Sequence, residues 1–199
     1  MIVIIDYKCG NIASVVNIIK KAGSKAIISS DPKIISKASK LILPGVGSFD
    51  YGMNQLKEMN LIDIILEHVN NGKYILGICL GMQLLGNKSD EGICKGLSLI
   101  DAEIIKFPHD KKLPIPHMGW NKVIVQKENV LIEEKEFNKF YFVHSYYMKC
   151  NDPEIILCKT DYGINFVSAI SQNNILGVQF HPEKSHKFGL NLIKKFIEL

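Results

Sequence analysis

The 199-residue sequence contains no arginine: all 24 of its basic side chains are lysine. Arginine supplies the bidentate contacts to guanine and phosphate on which specific nucleic-acid recognition leans. Its absence, with a net charge of only +4 and no basic stretch interleaved with aromatics, argues against a nucleic-acid partner. No apolar run reaches the roughly 18 residues needed to cross a bilayer, so no membrane partner is expected either. The opening Met1-Ile2-Val3-Ile4-Ile5-Asp6 has no basic segment ahead of its apolar run and no small-residue cleavage site, unlike a signal peptide. The cysteines, Cys9, Cys79, Cys94, Cys150 and Cys158, are odd in number and form no C-x-x-C. Neither a disulfide framework nor a zinc ribbon fits them, so a reducing cytoplasm and no metal are expected. Each is by default a small buried hydrophobe, a reading that suits Cys158 and Cys150.

What is present is an ordinary globular composition, 47% hydrophobic and 22% charged, in a length that fits one domain over residues 1–199. The first half alternates short apolar runs with helical periods. Ile2–Ile5, Ala26–Ser29, Lys40–Leu43 and Tyr74–Cys79 read as strands. Asn11–Lys21, a short helix from Asp31-Pro32, Leu61–Asn70 and Leu80–Leu85 read as helices, with Asp31 as N-cap and Pro32 at the first position. After about residue 97 strand-like runs follow one another: Ala102–Phe107, Lys122–Gln126, Lys139–His144, Glu154–Thr160, Phe166–Ser171 and Ile175–Phe180. Asn173-Asn174 sits between the last two like a hairpin turn. An amphipathic helix, Gly189–Glu198, closes the chain, its lysines on a solvated face. The expected fold is α/β: a mixed, mostly parallel central sheet with helices on both faces and a β-rich second half.

Gly77-Ile78-Cys79-Leu80-Gly81 lies where a strand ends and a helix begins. This is the G-x-nucleophile-x-G elbow with Cys in the central place. The sharp turn needs glycine on either side because side chains there would strike neighbouring backbone. The helix that follows aims its first N–H groups at the site, favouring the thiolate and offering the Leu80 N–H to an oxyanion. A buried cysteine between two structural glycines is the plain alternative. About a hundred residues later comes Gln179-Phe180-His181-Pro182-Glu183. In extended chain His181 and Glu183 point the same way, so the carboxylate can orient one ring nitrogen while the other faces Cys79. Read alone, a His beside a carboxylate is most often a surface pair. Read with the elbow, it completes a triad.

Pro44-Gly45-Val46-Gly47-Ser48-Phe49-Asp50 follows the third strand. Asp50 stands where a dinucleotide loop needs its third glycine, so no cofactor is expected. The loop can instead present a backbone N–H near Gly47 as a second oxyanion donor; the alternative is a plain turn. His117-Met118-Gly119-Trp120-Asn121 carries the only tryptophan, a core residue or an interface anchor. Phe142-Val143-His144-Ser145-Tyr146-Tyr147 ends a strand with groups able to grip a ligand, and His144 competes as general base. His68 and His109 read as surface residues.

Gly77-Ile78-Cys79-Leu80-Gly81-Met82-Gln83-Leu84-Leu85 with Phe180-His181-Pro182-Glu183 resembles the triad-type glutamine amidotransferase family. The likeness runs from residue 2 to about 198. Asp6-Tyr7 with Gly10-Asn11, the Pro44–Phe49 loop, His117–Asn121 and Phe142–Tyr147 are similar to a branch that serves amino-acid biosynthesis. The resemblance implies that Cys79 attacks the glutamine amide, that the Leu80 N–H and an N–H in the Val46-Gly47 turn hold the oxyanion, and that His181, oriented by Glu183, protonates the leaving ammonia. It implies that Gln83, Ser145 and Tyr146 bind glutamine. It also implies a heterodimer in which ammonia passes to a (β/α)8-barrel cyclase subunit, with Asn11, Trp120 and Lys184 at the interface. The family reads Asp-Tyr-Gly-x-Gly-Asn near its start; here the first Gly is Lys8, and Ala13 replaces a frequent Arg. A sister complex supplying ammonia for an amidino group on a surface sugar is the alternative. An independent thiol hydrolase or a silent binding partner belongs to another class. Gln83, Ser145 and Tyr146 speak against the hydrolase, and the intact Cys79, His181 and Glu183 speak against silence.

Overall fold

The structure is a computed structural model that describes residues 1–108, 113–133 and 138–199; His109 lies outside them. The chain runs β1 (Ile2–Ile5), α1 (Ile12–Lys21), β2 (Ala26–Ser29), α2 (Pro32–Ile35), β3 (Lys40–Leu43), α3 (Phe49–Glu58) and α4 (Ile62–Asn70). It continues through β4 (Tyr74–Ile78), α5 (Leu80–Leu84), β5 (Lys88–Ser89), β6 (Ala102–Lys106), β7 (His117–Lys122), β8 (Ile124–Val125) and β9 (Lys139–His144). It ends with β10 (Tyr146–Cys150), β11 (Ile156–Asp161), β12 (Asn165–Gln172), β13 (Ile175–Val178) and α6 (His186–Glu198), with 3-10 turns at Pro153–Ile155 and Pro182–Lys184.

The first four strands and β13 form the parallel part of the sheet, in the order β2-β1-β3-β4-β13. From β13 the sheet continues antiparallel through β12, β10 and β6, with β5 parallel at the edge. A side branch pairs β11 with β12 and β8 with β11, and β7 pairs with β9 in a separate two-stranded sheet. The division follows from the links. Helical crossovers in the first half return each strand in the same direction, whereas short turns from β11 to β12 and from β12 to β13 reverse it.

Period-two alternation in β1 sorts its side chains between two cores. Val3 and Ile5 join Leu41, Leu43 and the inner faces of α2, α3, α4 and α5. Ile2 and Ile4 join Ile42, Leu76 and Ile78 with Val15, Ile18 and Ile19 of α1 and Leu192, Ile193 and Phe196 of α6. Each such side chain stabilises the fold by roughly 1.5–3 kcal/mol. Helix starts are fixed by short polar side chains: Asn11 Oδ1 accepts from Ser14 N at 3.2 Å and Asp31 Oδ1 from Lys33 N at 2.8 Å, each worth about 1 kcal/mol. The hairpin turn is present, with Asn173 at φ 53° and Asn174 Nδ2 donating to Val69 O and Lys73 O, both at 2.8 Å.

Several expectations need correction. His68 is buried, not superficial: α4 turns it inward, and its Nε2 lies 3.1 Å from Tyr74 O. Helix α3 and strands β5, β7 and β10 are not among the elements read from the sequence. The Lys122–Gln126 run is divided, since Lys122 ends β7 and only Ile124–Val125 pairs with β11. The closing helix starts three residues early, at His186. No helix of the described residues is long and apolar enough to cross a membrane.

Candidate active site

Strands β4 and β13 are parallel neighbours with Ile78 opposite Val178. The residues that follow them, Cys79 and Gln179, therefore emerge at one level at the carboxyl edge of the sheet, where sites on open α/β sheets gather. Cys79 takes the turn at φ 54°, ψ −110°, a conformation costly for any residue with a side chain, and its N–H is tied to Val178 O at 2.8 Å. The flanking glycines are required by contact. A Cβ on Gly77 would lie 2.7 Å from Gly81 O, and one on Gly81 would lie 1.8 Å from Leu43 O. The next helix is only five residues long, and Leu80 at its first position has no intrahelical acceptor for its N–H.

His181 leaves β13 in extended conformation, φ −100° and ψ 98°. Its N–H donates to Tyr141 O at 2.9 Å, and its carbonyl accepts from Ser185 Oγ at 2.6 Å. Glu183 does not continue that strand. It lies in the 3-10 turn Pro182–Lys184, which curls its Oε1 to 2.7 Å from His181 Nδ1. The pairing is the expected one, reached by a turn instead of an extended i, i+2 alternation. Both side chains are almost fully buried, at 2% and 4% exposure. His181 Nε2 is buried without a hydrogen-bond partner. Burial pulls the His181 imidazole down, but its interactions with Cys79 and Glu183 outweigh that and push the pKa up to about 10.

A cleft of about 250 Å³ opens on Cys79. Of the residues expected there, Gly47, Leu80, Gln83, Ser145 and Tyr146 all line it with Cys79. Gly47 stands at φ +115° with nothing within 4 Å of a built Cβ, so its constraint is conformational and not steric. Gln83 Nε2 donates to Tyr146 O at 3.1 Å and to Gln179 Oε1 at 3.0 Å, and Gln179 Nε2 reaches Cys79 Sγ at 3.7 Å. Val46, Glu91, Pro116, Val143 and His144 complete the wall. Sequence reasoning missed Glu91. It is held by the Phe49 N–H at the start of α3, at 2.7 Å, and α3 itself had not been foreseen. His144 cannot be the general base, because Nδ1 is bound to Tyr146 O at 2.8 Å and Nε2 to His117 Nδ1 at 3.0 Å.

The three expected interface residues are exposed. Trp120 stacks on His186 with ring centroids 5.4 Å apart, Lys184 Nζ sits 5.5 Å from the centre of the Tyr141 ring, and Asn11 caps α1. A second cavity of about 560 Å³, between α1 and the Pro182–Lys184 turn, is lined by Ser14, Lys21, Glu183 and Lys184. Among the described residues no group of three or more His, Cys, Asp and Glu side chains could hold a metal ion.

Fold and site together have the parts of a cysteine amidohydrolase: a thiol on a strained elbow that opens on a small cleft, and an imidazole–carboxylate pair past the end of the neighbouring strand. Residues 3–199 match the family of class-I glutamine amidotransferases, and the chain belongs to it. It is 56% identical to imidazole glycerol phosphate synthase subunit HisH 2 of Methanococcus maripaludis, across 100% of this chain and 99% of that protein. It is 49% identical to subunit HisH 2 of Pseudomonas aeruginosa, across the whole of both chains (100% each). Among solved structures, PurLQS of Thermotoga maritima superposes with a TM-score of 0.71 at 18% identity, over 98% of this chain and 95% of that one, a likeness of fold.

Proposed function

We propose that this chain is the glutaminase subunit of an imidazole glycerol phosphate synthase and acts in histidine biosynthesis. The observation that carries the chemistry is Cys79 at φ 54° beside a buried His181–Glu183 pair 2.7 Å apart; the relatives carry the pathway. Cys79 Sγ attacks the side-chain amide of glutamine, and the Leu80 N–H with an N–H of the Val46-Gly47 turn receives the oxyanion. His181 passes the thiol proton to the departing nitrogen as the C–N bond breaks, leaving ammonia and a glutamyl thioester. Water, deprotonated by the same imidazole, then cleaves the thioester to glutamate. Glu183 fixes the ring tautomer and stabilises its charged form. Gln83, Ser145 and Tyr146 grip the amino acid, and the Glu91 carboxylate on the cleft wall suits its ammonium group.

Ammonia is then passed to a (β/α)8-barrel cyclase subunit, which docks over Asn11, Trp120 and Lys184 in a cytoplasmic heterodimer. The test is an assay of glutamine hydrolysis by the chain alone and with a barrel cyclase, beside synthesis of imidazole glycerol phosphate from free ammonia. Support would be slow hydrolysis alone and faster hydrolysis with the cyclase and its ligand. Equal rates in all states would favour an independent hydrolase.

A further inference from the structure

Two buried histidines take no part in the chemistry above, yet one of them lines the cleft. Asn121 Nδ2 lies 3.2 Å from His117 Nε2, His117 Nδ1 lies 3.0 Å from His144 Nε2, and His144 Nδ1 lies 2.8 Å from Tyr146 O. The protons along this line have one order. A carbonyl only accepts, so His144 Nδ1 carries the hydrogen. A neutral imidazole has one N–H, so His144 Nε2 accepts, His117 Nδ1 donates, and His117 Nε2 accepts in turn. The far end agrees independently. Asn121 Oδ1 takes the Lys122 N–H at 2.7 Å, which leaves Nδ2 to donate, and Nδ2 also reaches Asp161 O at 2.9 Å.

The surroundings keep both rings neutral. His117 stacks on Phe142 at 4.8 Å and on Tyr162 at 4.0 Å, and His144 packs against Phe107 at 5.3 Å and Phe166 at 5.0 Å. At the cleft end the line continues. Tyr146 O also accepts from Gln83 Nε2 at 3.1 Å, and Gln83 is bonded to Gln179, which touches Cys79 Sγ. Reversing the tautomers would set a ring lone pair against Tyr146 O and push that peptide away from Gln83.

We propose that His117 and His144 are positioning residues of the glutaminase: their fixed proton order holds the Tyr146 carbonyl, and through it Gln83, where the bound amino acid needs them. The proposal rests on the glutaminase reading of the cleft. It accounts for a buried imidazole pair with no acid–base work to do, and it places their effect on substrate binding, not on the thiol chemistry.

The test compares His117→Leu with His117→Asn in the complex with the barrel subunit. The two replacements have nearly the same shape and leave the same gap, but only Asn can donate towards His144 Nε2. Loss of one neutral hydrogen bond corresponds to a KM for glutamine raised about three- to tenfold in His117→Leu, with kcat within about twofold, and Asn should bring KM back. Equal KM in both variants, or a fall in kcat at unchanged KM, would overturn the proposal. If neither variant folds, the ring-nitrogen shifts of the 15N-histidine-labelled wild-type protein decide. Both residues should be Nδ1–H near neutral pH, and Nε2–H at either refutes the proton order. That readout stands even if the wild-type complex fails to hydrolyse glutamine, a result that would count against the glutaminase reading alone.

Discussion

Replacing Gly81 by alanine tests whether the elbow is held by close contact. The new Cβ would fall 1.8 Å from Leu43 O and 2.8 Å from Leu43 C. Side-chain carbons do not approach backbone oxygen that closely, so α5 and β3 must separate by about 1 Å or more. Overpacking of this kind costs about 1–3 kcal/mol, and here the obstacle is a backbone carbonyl in the middle of the sheet, so the upper end applies. Cys79 is two residues away and moves with the turn. A 1 Å misplacement of a reacting group costs about 10² in rate. The assays are urea unfolding of Gly81→Ala and its glutamine hydrolysis in the complex. Synthesis from free ammonia is the control, because it needs no thiol. A midpoint equal to wild type with hydrolysis within about threefold would refute the packing argument.

Gly47→Ala should lose hydrolysis with little loss of stability. Nothing lies within 4 Å of its Cβ, so stability should fall by only about 1 kcal/mol for the positive φ. Glutamine hydrolysis should drop by up to roughly 10²–10³ if the oxyanion donor is displaced, while synthesis from ammonia persists. Glu183→Gln should slow hydrolysis by about 10² or more, and less than Cys79→Ala does. It should also change the alkaline limb of stability. A histidine raised to about 10 stabilises the fold fully below its unfolded value of about 6.5 and loses that contribution as pH rises through 10, so the variant's stability should decline less over that window. His117 and His144, lowered by burial to about 4 and about 3, act at the acid end. Below about pH 6.5 the unfolded chain takes up protons that the native rings refuse, so stability should fall towards pH 4 and 3, and less steeply in His117→Asn.

The parallel strands were legible because each is a short apolar run closed by a turn signal, and the triad because its residues stand in tight local patterns at strand ends. Helix α3 was hidden by Gly52, which reads as a breaker. In the fold that glycine lets α3 approach α5, since a Cβ there would lie 3.1 Å from Leu84 Cδ1. Strand β7 was hidden by its polar, glycine-containing sequence; its pairing with β9 is a tertiary choice. Glu91 has no local motif at all and reaches the cleft only because α3 and the segment after β5 meet there. The departure at Lys8 has a backbone reading. Lys8 adopts φ 62°, a conformation open to glycine and costing a lysine roughly 1 kcal/mol. The exposed Lys8 side chain is tolerated there.

The central claim is that Cys79 carries the glutamyl group between the two halves of the reaction. Acid-quenching the complex during turnover of isotopically labelled glutamine, followed by mass analysis of its peptides, reads this directly. The expected result is a labelled thioester on the peptide containing Cys79, absent from Cys79→Ala, whose hydrolysis should be down by at least about 10³. Label on Cys9 or Cys94, or hydrolysis by Cys79→Ala above a few per cent of wild type, would contradict the account.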